Sequence, residues 1–237
     1  MTRSNSKGSS LGFLKLASIG VALSVLAACA QKAPPPPPPP PPVVVIPPQP
    51  QPPMGAPENM RIPEVSDAGV RKTVNSDLGT SQAVWNLRSA YNVAALNCVE
   101  PEYAALLEGY KQFLKIHDKS LDKADAELNK NFRGAFGKSG TRERETYQTQ
   151  VYNFFSVPPV KSTFCAAAMQ LAADISLVPA GQLEAYAPQG MAKIEAPFME
   201  FFNAYDQYRA DLAAWQAKYG GIIVVAPEQA SAARATP

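Results

Sequence analysis

From residue 81 onward, apolar residues recur at spacings of three and four, the period of a helix with one buried face. Val84, Leu87, Tyr91, Ala94, Ala95 and Cys98 form a stripe that predicts a first helix over residues 81–97. Pro101 suits the first turn of a second helix, where its missing N–H would have no intrahelical partner anyway. That helix carries Tyr103, Leu106, Leu107, Tyr110, Leu114, Leu121 and Leu128 on one face and extends toward Phe132, until Gly134, Gly137 and Gly140 break the pattern. Thr141 and the run Arg142-Glu143-Arg144-Glu145 open a third helix, with Tyr147, Val151, Phe154 and Phe155 inward. Pro158-Pro159 separates it from a fourth, residues 160–177, whose inner face holds Phe164, Cys165, Ala168, Leu171, Ala172 and Ile175.

The last row is the most regular: Met191, Ile194, Phe198, Phe201, Tyr205, Tyr208, Leu212, Trp215 and Tyr219. Its spacing is that of a coiled-coil seam, with aromatic residues where a zipper has leucine. It serves either as packing against the domain's own helices or as a seam for a second chain. Pro197 sits inside it, and proline lacks the N–H donor and clashes with the preceding turn, so a kink or a helix start is expected there. Five helices with short connections and no credible long strand predict an all-α fold. The expected architecture is a single bundle of about five helices with antiparallel neighbours, over residues 81–219. Residues 64–80 are polar and read as an extended segment, and residues 220–237 as an apolar, disordered tail.

The chain ahead of this body has a different composition. Arg3, Lys7 and Lys15 make a positive leader, and residues 16–28 carry no charge, a length that suits a secretory apolar region and is short for a membrane span. The run ends in Leu26-Ala27-Ala28-Cys29. This tetrapeptide resembles the lipobox of bacterial lipoprotein signal peptides, in which two small residues lie between a branched aliphatic and a cysteine. The resemblance covers residues 1–29. It implies removal of residues 1–28, a thioether-linked diacylglycerol on Cys29 and an acylated amine, which together exceed the two-signal threshold for stable attachment. Ala30 follows, where lipoproteins kept in the inner membrane often carry Asp, so the resemblance implies an outer-membrane lipoprotein facing the periplasm. The plain alternative is a secretory signal whose cleavage site abuts a cysteine.

Residues 29–63 then read as a lipidated, proline-rich tether. Residues 34–42 are all proline, and Pro47, Pro48, Pro50, Pro52, Pro53 and Pro57 continue the bias. Proline fixes φ and has no donor, so this is polyproline II, with the unbroken run spanning about 28 Å. It serves as a spacer or as a docking site for an aromatic-lined groove, and repetition without aromatic or basic flanks favours the spacer. Two β-branched sets, Val43-Val44-Val45-Ile46 and Ile222-Ile223-Val224-Val225, can pair as short strands that clip the tether to the domain, add to a partner's sheet edge, or lie on the helical core.

Charge and cysteine content narrow the function classes. Loss of Arg3, Lys7 and Lys15 from 22 Lys+Arg against 20 Asp+Glu moves the net charge from +2 to −1, so the apparent basicity belongs to the leader. A near-neutral domain has no electrostatic footprint for nucleic acid. Cys98 and Cys165 remain as an even pair in an exported domain and read as a disulfide, with two separate buried thiols as the alternative.

No catalytic residue, cofactor or metal site is assigned. His117 is the single histidine, between Leu114 and Leu121 on the apolar face of the second helix, where a packed side chain is expected. The residue three before it is leucine, which does not support a di-iron Glu-x-x-His motif. Asp118, Asp122 and Asp125 share one side of the helix but interleave with Lys115, Lys119 and Lys123, as a solvated charged face does. Should the aromatic interior bind a small ligand or substrate, His117, Tyr110, Tyr205 and Trp215 would contact it. The leading expectation is a lipid-anchored, non-catalytic binding or structural module. Its partners are the membrane, through the anchor, and an envelope protein or cell-wall component.

Overall fold

The first helix is buried almost all the way round. In the computed structural model, which describes residues 35–36 and 45–221, α1 (Thr80–Asn97) hides Ala83, Val84, Asn86, Leu87, Ser89, Ala90, Tyr91, Val93, Ala94 and Ala95. One stripe was expected; the small residues Ala83, Ser89, Ala90, Ala94 and Ala95 instead admit neighbours on several sides. The chain divides into two units, Met1–Val45 and Ile46–Pro237, and the helical body belongs to the second. Cys29, residues 37–42 and residues 222–225 lie outside the described residues.

Around α1 stand α2 (Ala105–Ile116), α3 (Asp118–Phe136), α4 (Gly140–Phe155), α5 (Lys161–Ile175) and α6 (Leu183–Tyr219). The fold is all-α, a bundle of six α-helices among the described residues. The expected second helix is two. His117 leaves helical geometry at φ −107° and ψ 18°, while its N–H still reaches Phe113 O and its carbonyl accepts Leu121 N–H. The apolar row therefore keeps its period across the break, from Leu106, Tyr110 and Phe113 to Leu121, Ala124 and Leu128. The Asp118 carboxylate accepts the Lys119 N–H at 2.6 Å, a local acid at a helix start that favours a new beginning. The α3–α4 turn uses Gly137 at φ +56°, and a Cβ on Gly140 would lie 2.7 Å from the Phe132 carbonyl and the Arg133 Cα.

α6 is continuous over 37 residues, through Pro188 as well as Pro197, where a kink or start was expected. Each proline removes one backbone hydrogen bond, and a helix-interior proline costs about 3 kcal/mol. Burial on both sides offsets it: Ala187, Gly190, Met191, Ile194, Pro197, Phe198, Phe201 and Phe202 are all in the core. Phe154 and Phe155 of α4, Phe164 of α5, and Phe198 and Phe202 of α6 interlock with ring centroids 4.8–6.1 Å apart. Offset and edge-on aromatic pairs contribute about 0.5–1.5 kcal/mol each beyond their buried area.

Residues 46–63 do not leave the body as free tether. They lie on α6 as a strap, with Ala56 buried and Met60 and Ile62 packed against the core. Residues 64–80 are not simply extended either. Val65 and Arg71 bridge in antiparallel fashion around a turn with Gly69 at φ +76°, and a second turn at residues 73–76 leads into α1. Arg71 locks the strap's end. Its guanidinium donates to Pro63 O at 2.6 Å, pairs with Asp206 at 2.6 Å, reaches Asn203 at 3.0 Å and lies over the Phe202 ring.

Cys98, at the end of α1, is bonded to Cys165 on α5, with Cα atoms 5.6 Å apart. The bond closes a loop with a sequence separation of 67, worth roughly 4 kcal/mol on the chain-entropy account. Replacing both cysteines by serine should lower the unfolding free energy by about that amount in urea titration. An unchanged midpoint, or two free thiols in the unreduced native protein, would show that the bond is absent.

Candidate functional site

The four side chains expected to line a ligand site separate into two places. Tyr110 and His117 belong to an aromatic cluster at the α1–α2 face. Tyr91 meets Tyr110 edge-on at 5.3 Å and Phe113 at 5.5 Å, and Phe113 meets His117 at 5.3 Å. Tyr91 fits only because Gly109 has no side chain, since a Cβ there would lie 2.4 Å from its hydroxyl. Burial pushes the Tyr91 phenol up to about 12 and raises that of Tyr110 as well, so both stay protonated at neutral pH. His117 is buried, its Nδ1 has no partner, and burial lowers its pKa against the opposing pull of Glu184. The Tyr91 and Tyr110 hydroxyls are buried without a partner, and His117 itself lines a surface depression with Ile116, Asp118, Lys119, Ser120, Ala180 and Gly181.

Tyr205 and Trp215 are instead the seat of the strap. The Tyr205 hydroxyl donates to Pro57 O at 2.6 Å and accepts the Met60 N–H at 2.9 Å. The Trp215 indole N–H donates to Pro47 O at 2.9 Å, and Arg209 donates to Met60 O at 2.7 Å while lying over the Tyr205 ring. Tyr208 packs edge-on to Tyr205 at 5.5 Å, and Tyr219 flanks Trp215 at 5.8 Å.

Asp118 and Asp122 of the acidic row are exposed, as a solvated charged face requires, and only Asp125 is engaged in an ion pair among the described residues. Asp125 pairs with Arg144 of α4, which also donates to Asn129 and lies over the Trp85 ring. Asp118, exposed at the first position of α3, accepts the Lys119 N–H, and Lys123 pairs with Glu184 at 3.6 Å. Burial pushes the Glu184 carboxyl up, but its own N–H, the Ser120 hydroxyl at 2.9 Å and Lys123 together hold it below the usual range. Among the described residues no group of acids, histidines and cysteines is arranged to hold a metal ion.

One polar constellation is not foreshadowed by any sequence motif. Asn86, fully buried on α1, donates to Asn75 Oδ1 at 2.8 Å and to the Tyr147 hydroxyl at 2.7 Å. Asn75 comes from the turn before α1, and its amide faces the carboxyl of Glu195 on α6. Asn75 Nδ2, Asn86 Oδ1 and Glu195 Oε1 close no hydrogen bond. Burial, only partly offset by Asn75, pushes Glu195 up to about 7. The one signal in the sequence is position: Glu195 lies four residues after Met191 and three before Phe198, on the apolar row itself.

No known protein family, curated protein or solved structure matches this chain.

Because Glu195 binds its proton more tightly folded than unfolded, its contribution is fully present below pH 4.5. It is lost as pH rises to about 7, a swing of roughly 3 kcal/mol at most. Glu195→Gln should flatten that decline and leave the protein more stable than the parent at pH 8 in thermal denaturation. An unchanged pH slope would mean the carboxyl is solvated.

Proposed function

We propose that this chain is a lipid-anchored, periplasm-facing helical lipoprotein that works as a non-catalytic binding or structural module of the cell envelope. The observation that carries the reading is Leu26-Ala27-Ala28-Cys29 at the end of an uncharged apolar run, followed at once by a proline-rich stretch and a folded body. An acylated Cys29 holds the body at the bilayer, most simply the outer membrane. The prolines set its reach, so that an envelope protein or cell-wall component meets it at raised local concentration. Among the described residues no helix is long and apolar enough to cross a membrane.

A small-ligand or enzymatic role near His117 has less support. Tyr205 and Trp215 are engaged with the strap, so the four expected contact residues do not meet at one site.

Cys29→Ser should abolish incorporation of labelled palmitate and move the protein from the membrane pellet to the soluble fraction. Retention in the pellet without label would replace this reading with attachment by another route.

A further inference from the structure

We propose that the C-terminal aromatic face of α6, from Tyr205 to Trp215, is a binding site for proline-rich polypeptide, and that the chain's own residues 46–60 are the ligand seated in it. Every hydrogen bond across this contact goes to the strap's backbone: Pro47 O, Pro57 O, Met60 O and Met60 N–H. Such contacts do not depend on which side chains the strap carries. They ask only for carbonyls presented at the right intervals, and proline supplies those while fixing φ and adding no competing N–H.

The strap has the matching conformation. Pro52 (φ −58°, ψ 144°) and Ala56 (φ −63°, ψ 154°) both hold polyproline II angles, on either side of a turn at Pro53–Gly55. Ile46, Pro50, Pro52, Pro53 and Met60 are half-buried and Ala56 is buried, whereas Pro47, Pro48, Gln49 and Gln51 are exposed, so the strap rests on the body at intervals along its length. The receiving face is chemically suited as well. An indole and a phenol each offer a flat apolar surface with a polar tip, the pairing by which aromatic-lined grooves take extended proline-rich chains at low ordering cost. Trp215 remains partly open to solvent at the outer end of the strap, where exchange can begin.

Docking has a consequence that rests on the anchoring reading above: undocking returns residues 47–63 to the leash and lengthens its reach by about 50 Å. The binding site itself does not depend on the anchor.

The test uses the chain from residue 29 onward with Cys29→Ser, so its outcome is separate from that of lipidation. A protease site replaces residues 67–69 at the exposed turn, and cleavage follows folding. A labelled synthetic peptide of residues 46–63 should bind the cut protein saturably and be displaced by its unlabelled form. Binding should weaken about tenfold or more when Pro47, Pro50, Pro52 and Pro53 are alanine, and likewise when the protein carries Tyr205→Phe or Trp215→Phe with unchanged helicity. Equal affinity of the alanine peptide would overturn the proposal, leaving Met60 and Ile62 as a merely apolar hold. Absence of saturable exchange would overturn it too. In the uncut chain, the Met60 amide should exchange with deuterium about tenfold or more faster in Tyr205→Phe than in the parent, and equal rates would count against the site.

Discussion

The structure turns on one constraint: α6 carries a single apolar row longer than the helices that can cover it. From Leu183 to Phe202 the row packs into the body, against α1 and against the phenylalanines of α4 and α5. Beyond Phe202 the row continues with Tyr205, Tyr208, Leu212 and Trp215. An uncovered aromatic face of that length would be an association hazard. The strap covers it, and it does so without a helix, since a polyproline II chain needs no internal hydrogen bonds and can lend its carbonyls to the aromatic tips. The contact thus satisfies two needs together: apolar rings leave water, and the strap's polar backbone finds donors.

Two fastenings make this arrangement part of the body. Arg71 gathers Pro63, Asn203, Asp206 and the Phe202 ring, so the strap's inner end is held by a nearly buried guanidinium through charge-assisted bonds. The Cys98–Cys165 bond ties α1 to α5 near the turn at Pro53–Gly55, where Met54, Tyr103, Pro158 and Cys165 line a shared cleft. Glu195 works in the opposite sense, since an acid held under the turn before α1 weakens the body as it ionises. It sits on α6 with Asn75 of that turn as its one polar neighbour.

Periodicity was enough to reveal the all-α fold, because each helix face repeats at three and four and glycine or proline punctuates the gaps. The pairing of Cys98 with Cys165 was legible from parity together with the expectation of export. Other features were not. The break at His117 leaves the apolar period intact, so the pattern shows one helix where backbone angles make two. α1's all-round burial was hidden because alanine and serine read as neutral until neighbours close on them. The strap was missed for a different reason: composition identified its conformation, but its partner lies some 150 residues away in sequence, at separations of 145 to 168. The candidate ligand residues divided accordingly, with Tyr110 and His117 in packing and Tyr205 and Trp215 in the strap's seat.

Whether the strap lies on α6 in solution can be read directly by double electron–electron resonance between spin labels at Gln51 and Gln207, both exposed. The account predicts one narrow, short distance distribution in the folded, oxidised protein. A broad distribution reaching several tens of ångströms would contradict it, because it would place residues 46–63 in free tether and leave the aromatic end of α6 uncovered.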